Sequence, residues 1–396
     1  MTIRRPCEYQ PQCPGCPRFG QPDLPPFGVG QLREEAQRWS EAGRSSEAGR
    51  SVPHDLEVQE FPFEGLGHRY RCRLSVRGRT FAMQLGIFEE GSHRLVSIPR
   101  CPVHHPAINA LVVKLTQVAN QLGVEPYDEV QHRGQLRAVQ MAVEPSTGRV
   151  QLVLLVLASR LDESTLDPRL KSLAALLAPE THSIFFASLP DRNNSLLGKE
   201  WLHMHGPEML LDQVGGSRVY FPPDAFGQAN PVAHAQAVAK IHEFTASSGR
   251  IVEYYAGVGT IGLGLAQRGR RVVFNEMGEG SLRGLRHALF EMGLDHVEVV
   301  SGPAGKSAHL YDATDTVIVD PPRKGLDPEL MSRLLREPPE RLIYLSCGLP
   351  AFLSESRRLR ESERYNLTHL LAWSYFPYTE HIETLAVFET IQQLGG

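Results

Sequence analysis

The segment Ile-Val-Glu-Tyr-Tyr-Ala-Gly-Val-Gly-Thr at 251–260 constrains the fold more than any other. It reads as a short apolar strand, a glycine-containing turn and the start of a helix. Similar alternation surrounds it. Helical periodicity is expected over 230–245, 261–268 and 281–292, and apolar strands over 271–275, 297–300, 316–319, 342–346 and 385–388. Strands alternating with helices imply a doubly wound, mostly parallel sheet. The expected fold class is therefore α/β, with a Rossmann-like domain over 214–396.

A chain of 396 residues is too long for one ordinary core. Residues 56–213 mix strand patterns (70–76, 150–158) with an amphipathic helix pattern (106–122), as in an α+β domain. Residues 1–55 form a cysteine-rich segment and loop. Positions 7–30 are rich in Cys, Pro and Gly and lack periodicity, the first part of 31–53 suits a short helix, and 42–51 reads as a flexible loop.

No uncharged apolar run reaches about 18 residues, so no membrane span is expected. The start, MTIRRPCEYQ, has no apolar signal core, and the cytoplasm is the expected compartment. Net charge is −4, unlike a generally basic nucleic-acid binder. Between 67 and 101, however, Arg69, Arg71, Arg73, Arg77, Arg79, Arg94 and Arg100 face only Glu89 and Glu90. That excess suits phosphate contacts or a solvated strand face.

Gly257 and Gly259 would permit a tight turn and close approach of backbone N–H groups to a ligand. Glu276, just past the next strand, could accept hydrogen bonds from ribose hydroxyls. The third glycine of a dinucleotide fingerprint is displaced to Gly262, so a nucleoside without a pyrophosphate fits at least as well. Asp320 closes the apolar strand of Thr-Val-Ile-Val-Asp-Pro-Pro-Arg-Lys-Gly-Leu (316–326), at the carboxyl end of the sheet where open α/β folds bind ligands. Cys347 ends a neighbouring apolar run and should share that edge. By position alone it could equally be a small buried thiol, and Glu383 an exposed loop carboxylate.

The six cysteines are 7, 13, 16, 72, 101 and 347. In a cytosolic chain a disulfide set is not expected. Cys7, Cys13 and Cys16, with Cys101 at long range, give four thiolates that suit a four-iron four-sulfur cluster or a closed zinc site; spacing does not choose between them. Cys72 reads as core.

Together these segments resemble the RNA 5-methyluridine (uracil-C5) methyltransferase family over most of the chain and in the same order. The signature is DPPRKGL at 320–326. YLSC ending at Cys347 looks like the nucleophile motif, FPYTEHIE ending at Glu383 the general-base motif, AFGQANP around Gln228 a cofactor-contacting segment, and YYAGVGTIGL the glycine turn. RYRCRLSV at 69–76 and GSHRLVSIPRC ending at Cys101 match the central domain. The resemblance implies S-adenosyl-L-methionine as methyl donor, contacted by Gln228, Tyr255, Gly257, Thr260, Glu276 and Asp320. It implies Cys347 as covalent nucleophile and Glu383 as base, and it favours iron–sulfur at Cys7, Cys13, Cys16 and Cys101.

Several positions depart from the family pattern. Gly348 and Leu349 replace Asn and Pro after the nucleophile, Pro303 replaces an acid expected near the adenine, and Ala256 replaces Cys or Ser. Cys7 lies too near the start for a preceding RNA-binding β-barrel, as in the subgroup acting on 23S ribosomal RNA. The expected partner is thus RNA, 23S rRNA ahead of tRNA, with the protein a monomer. Competing readings are a non-catalytic RNA-binding paralogue and a methyltransferase acting on exocyclic amines, which would need no nucleophilic cysteine.

Overall fold

The structure, a computed structural model, describes residues 7–21, 27–44, 56–62, 65–189, 200–245 and 249–391. Two compact units emerge. One comprises residues 1–20, 65–212 and 221–231, the other residues 21–64, 213–220 and 232–396.

The first unit holds a seven-stranded sheet in the order Leu95–Ser97, Ala82–Phe88, Arg71–Arg79, Leu136–Val143, Val150–Val156, Thr181–Ser188, Trp201–His205. Only the Val150–Val156 and Thr181–Ser188 pair is parallel. Those two strands are buried along their whole length, which explains their continuous apolar runs. Helix Pro106–Leu122 stands where its periodicity placed it. Pro106 opens it, His105 Nδ1 accepts from Ala107 N at 3.2 Å, and Gly123 at φ 66° closes it. Its buried face (Ile108, Leu111, Leu115, Val118) packs on the sheet.

The arginine excess is less available than expected. Arg77 pairs with Glu129 and lies over the Phe88 and Tyr127 rings, and Arg94 pairs with Glu89. The Arg71 guanidinium lies over Phe221, and burial lowers its pKa to about 10. Arg79 and Arg100 remain exposed.

The second unit is built on an eight-stranded sheet in the order Val58–Phe61, Tyr365–Phe376, His381–Thr390, Arg341–Ser346, Thr316–Val319, Arg250–Tyr254, Arg271–Glu276, Val299–Ser301. All pairs are parallel except those made by His381–Thr390, which is antiparallel to both neighbours. The doubly wound expectation holds for its centre. The short helix foreseen in 31–53 is the 16-residue Val29–Arg44, and it belongs to this unit. Val29, Leu32, Ala36 and Trp39 join the same core as Tyr254, Val317, Tyr344 and Phe388. Trp39 Nε1 donates to Ser356 Oγ at 2.9 Å, and buried Glu35 accepts from Ser356 Oγ and from Arg360 Nη1 at 2.7 Å. Most of the loop placed at 42–51 lies outside the described residues.

Candidate active site

In the second unit, the central strands deliver the chemical groups to one edge. Thr316–Val319 and Arg341–Ser346 are parallel neighbours, so the residues that follow them, Asp320 and Cys347, leave the sheet on the same side. Thr384 pairs with Ser346 across the antiparallel strand, which brings Glu383 beside Cys347. Glu383 is therefore within a strand and 3% exposed, so the exposed-loop reading of it is excluded.

Three ionisable groups crowd this edge. Burial pushes the Cys347 thiol up to about 11, with the Glu383 and Asp320 carboxylates adding to the rise and Arg323 opposing it. Burial raises Asp320 to about 7. Burial and then Asp320 hold Glu383 well above the carboxylate range, and its Oε1 has no hydrogen-bond partner among the described residues. The two carboxyls repel each other's charge and so behave as a pair that retains a proton near neutrality. Glu383 can accept a proton when the proton the pair retains lies on Asp320.

The loop after Asp320 is pinned from below. Leu326 N donates to Glu355 Oε1 at 2.9 Å, Tyr344 Oη donates to Glu355 Oε2, and Asp327 N donates to Tyr255 Oη at 2.8 Å. Gly348 touches this loop so closely that a Cβ would lie 2.4 Å from the Arg323 carbonyl oxygen. The family's Asn has no room here, which gives the departure at 348 a steric reason.

The glycine turn follows Arg250–Tyr254. Tyr255 takes a left-handed φ of 59°, Gly257 follows at φ 58°, and nothing lies within 4 Å of a Cβ at Gly257. Gly257 thus opens onto space a ligand can use, whereas Gly262 is needed for packing: a Cβ there would meet Glu253 Oε2 at 2.2 Å and the Phe274 ring at 2.5 Å. Glu276 accepts from Gly257 N at 2.7 Å, Met277 N at 2.8 Å and Gly278 N at 2.6 Å. A carboxylate so oriented keeps a lone pair for a ribose hydroxyl. Thr260 Oγ1 lies 3.0 Å from His234 Nε2. Pro303 follows Gly302, whose N–H is bonded to Glu276 O at 2.9 Å, and it supplies no acid.

Gln228 falls in the first unit, on the 221–231 segment, whose Gly227 lies directly against the Arg71 guanidinium. Sequence reasoning missed Glu253, Glu355, His234 and Tyr375. Glu253 could have been found as a lone acid inside an apolar strand. It is 2% exposed, and burial keeps its carboxyl protonated far above the usual range.

Also in the first unit, Cys7, Cys13, Cys16 and Cys101 line one cavity of about 90 Å³, joined by Cys72, Arg69 and His104. No cysteine is in a disulfide. Burial pushes the Cys16 thiol up to about 12 and raises Cys13 and Cys101. Among the described residues no three metal-ligating side chains converge within reach of one ion. Cys72, expected as core, is half-buried and faces this cavity.

Among the described residues no helix is long and apolar enough to cross a membrane. Residues 304–390, which carry Asp320, Cys347 and Glu383, match the family described as tRNA (Uracil-5-)-methyltransferase. An RNA methyltransferase of Protochlamydia amoebophila is 33% identical over 332 residues, covering 82% of this chain and 86% of that protein. One from Enterococcus faecalis is 30% identical, covering 84% and 74%. The fold is that of the Pyrococcus abyssi tRNA (uracil-54, C5)-methyltransferase, crystallised with S-adenosyl-L-homocysteine, at a TM-score of 0.71 over 96% of this chain and 86% of that one, with 23% identity. With relatives of this kind matched over more than four-fifths of its length, the chain belongs to the RNA methyltransferases, and its residues 304–390 carry the match to the uracil-5-methyltransferase family.

Proposed function

We propose that this enzyme methylates C5 of a uridine in RNA through a covalent bond from Cys347 to C6 of the uracil. The observation that carries this is the meeting of Cys347, Asp320 and Glu383 at one buried sheet edge. C5 of uracil is a weak nucleophile. Addition of the Cys347 thiolate to C6 turns the ring into an enolate whose C5 can attack an electrophile. Bound S-adenosylmethionine supplies that electrophile, a sulfonium methyl group. Burial keeps the thiol protonated at rest, so its proton leaves to solvent as sulfur bonds to C6, and the Asp320–Glu383 pair, which holds one proton between its two carboxyls, keeps one site open for the C5 proton. After methyl transfer Glu383 takes the proton from C5, the C6–S bond breaks, and Cys347 leaves as thiolate. The net change is loss of one proton from C5 and gain of one methyl.

In the cofactor site, Glu276 would take the ribose hydroxyls, Gly257 the close backbone approach, and Tyr255, Thr260 and Asp320 the remaining contacts; Gln228, to which the resemblance also gives a cofactor contact, belongs to the first unit. Pro303 leaves the adenine without the family's acid. Cys7, Cys13, Cys16 and Cys101 would hold a four-iron four-sulfur cluster. No redox step is needed for methylation, so the cluster's part is to tie the N-terminal segment to the sheet of its unit. A uracil in folded RNA must be extruded to reach a buried thiol. The substrate carried forward is 23S ribosomal RNA, on resemblance to that subgroup, with transfer RNA as the competing arm; the cytoplasm is the matching compartment.

The test is a trap. Anaerobically purified protein is incubated with S-adenosylmethionine and 5-fluorouridine-containing 23S rRNA fragments or tRNA. Fluorine at C5 cannot leave as a proton, so the enzyme should stall as a methylated adduct, absent with Cys347→Ala. Which RNA forms it decides the substrate. Adduct with neither RNA, from protein that binds RNA and retains its cluster, would favour the non-catalytic paralogue.

A further inference from the structure

One buried imidazole beside this chemistry is not used by it. His234, on helix Pro231–Phe244, is 3% exposed. Its Nε2 lies 3.0 Å from Thr260 Oγ1 and its Nδ1 3.4 Å from Tyr375 Oη, with the two rings edge-on at 83°. Thr260 closes the glycine turn. Tyr375 is 1% exposed on strand Tyr365–Phe376, which pairs with the strand carrying Glu383. Burial is the main cause raising the Tyr375 phenol, and the Glu383 and Asp320 carboxylates, near enough to act on it, add to the rise. Burial alone lowers His234 to about 4, so its ring is neutral.

A neutral imidazole has one N–H donor and one acceptor nitrogen, and so it cannot set its two hydrogen bonds independently. With the hydrogen on Nδ1, the ring donates to Tyr375 Oη, leaving the phenol hydrogen for other acceptors, while Nε2 accepts from the Thr260 hydroxyl. With the hydrogen on Nε2, the ring donates to Thr260 Oγ1 and frees the threonine hydroxyl hydrogen, while Nδ1 accepts from Tyr375. The exchange moves three hydrogens along Thr260, His234 and Tyr375, and no charge changes.

We infer that His234 is a positioning residue whose tautomer couples the cofactor turn to the Asp320–Glu383 pair. The inference rests on the proposed methyl transfer. A cofactor acceptor that draws the Thr260 hydroxyl selects the Nε2–H tautomer. Tyr375 then donates to His234 rather than toward the carboxylates. The phenol dipole then turns away from the carboxylates whose charge it feels, and a less stabilised Glu383 carboxylate is the stronger base when the C5 proton must be removed.

Thr260→Val and Tyr375→Phe each remove one hydroxyl at nearly constant volume. Single-turnover methyl transfer at saturating S-adenosylmethionine should slow about tenfold for either, and the double variant should be little slower than the worse single, a coupling that vanishes in a His234→Leu background. Strict additivity in the wild-type background overturns the inference. Ring 15N spectra, with the His234 signal assigned by its loss in His234→Leu, should show a neutral ring that changes tautomer when S-adenosylhomocysteine is added. A tautomer indifferent to that ligand and to both hydroxyl removals also overturns it. A tautomer that responds in protein that methylates no RNA would sink the proposed reaction while leaving the relay in place.

Discussion

Gly348→Ala offers a sharp test of how the nucleophile is held. The added Cβ would lie 2.4 Å from the Arg323 carbonyl oxygen, 3.0 Å from its carbon and 3.1 Å from its Cα, against an ordinary contact of 3.4 Å or more. The obstacle is backbone, and it cannot swing away, because Leu326 N and Asp327 N fix its loop to Glu355 and Tyr255. One loop must therefore yield by about 1 Å, a displacement that costs about 100-fold in rate when reacting groups are misplaced. Overpacking of this kind costs about 1–3 kcal/mol, a fall in Tm of about 2–10 °C. The assay is the rate of 5-fluorouridine adduct formation beside a thermal melt. S-adenosylhomocysteine affinity serves as the control, because the glycine turn is untouched. Gly348→Asn, which restores the family's usual residue, should fail in the same way. A Gly348→Ala protein with wild-type adduct rate and Tm would refute the steric argument.

Glu383→Gln should still form the Cys347 bond and accept the methyl but release product about 10²–10⁴-fold more slowly, so that natural RNA accumulates as adduct on a denaturing gel. Asp320 has a folded pKa of about 7, above its unfolded value, so its contribution to stability is full below about pH 4 and is lost as pH rises toward 7. Asp320→Asn should accordingly melt higher than wild type at pH 8 and not at pH 4; equal melting shifts at both pH values would remove burial as the cause. Colorimetric assay of anaerobic protein should find about four iron and four sulfide per chain, reduced by Cys13→Ser or Cys101→Ser. Zinc without sulfide would replace the cluster by the closed tetrahedral alternative.

Local pattern made much of the site legible. The strands ending at Tyr254, Val319 and Ser346 were readable because central parallel strands are mostly apolar, and a candidate site residue, Tyr255, Asp320 or Cys347, follows each. What escaped depends on contacts between distant segments. Glu383 looked like loop because the strand His381–Thr390 starts with polar residues, and only pairing with Arg341–Ser346 buries it. His234 and Tyr375 carry no local signal, being 141 residues apart. Of the arginine excess, Arg77 and Arg94 are committed to carboxylates that composition could not pair with them. Gly348 illustrates the opposite case: a departure in sequence acquires its reason only from the backbone it touches.

The placement of helix Val29–Arg44 and strand Val58–Phe61 has a consequence in time. Trp39 bonds to a residue 317 positions later in the chain, and among the described residues Val58–Phe61 pairs with the strand Tyr365–Phe376. At about 5–20 residues per second of synthesis, roughly 15–60 s separate the emergence of these segments from that of their partners. During that interval Leu32 and Trp39 have no native core to enter and the short strand has no ladder. The cysteines at 7, 13, 16 and 101 are all made by residue 101, while the second unit still lacks its far end. A ribosome stalled before residue 365 should thus carry a chain whose Trp39 remains open to protease, even where Cys101 is already protected.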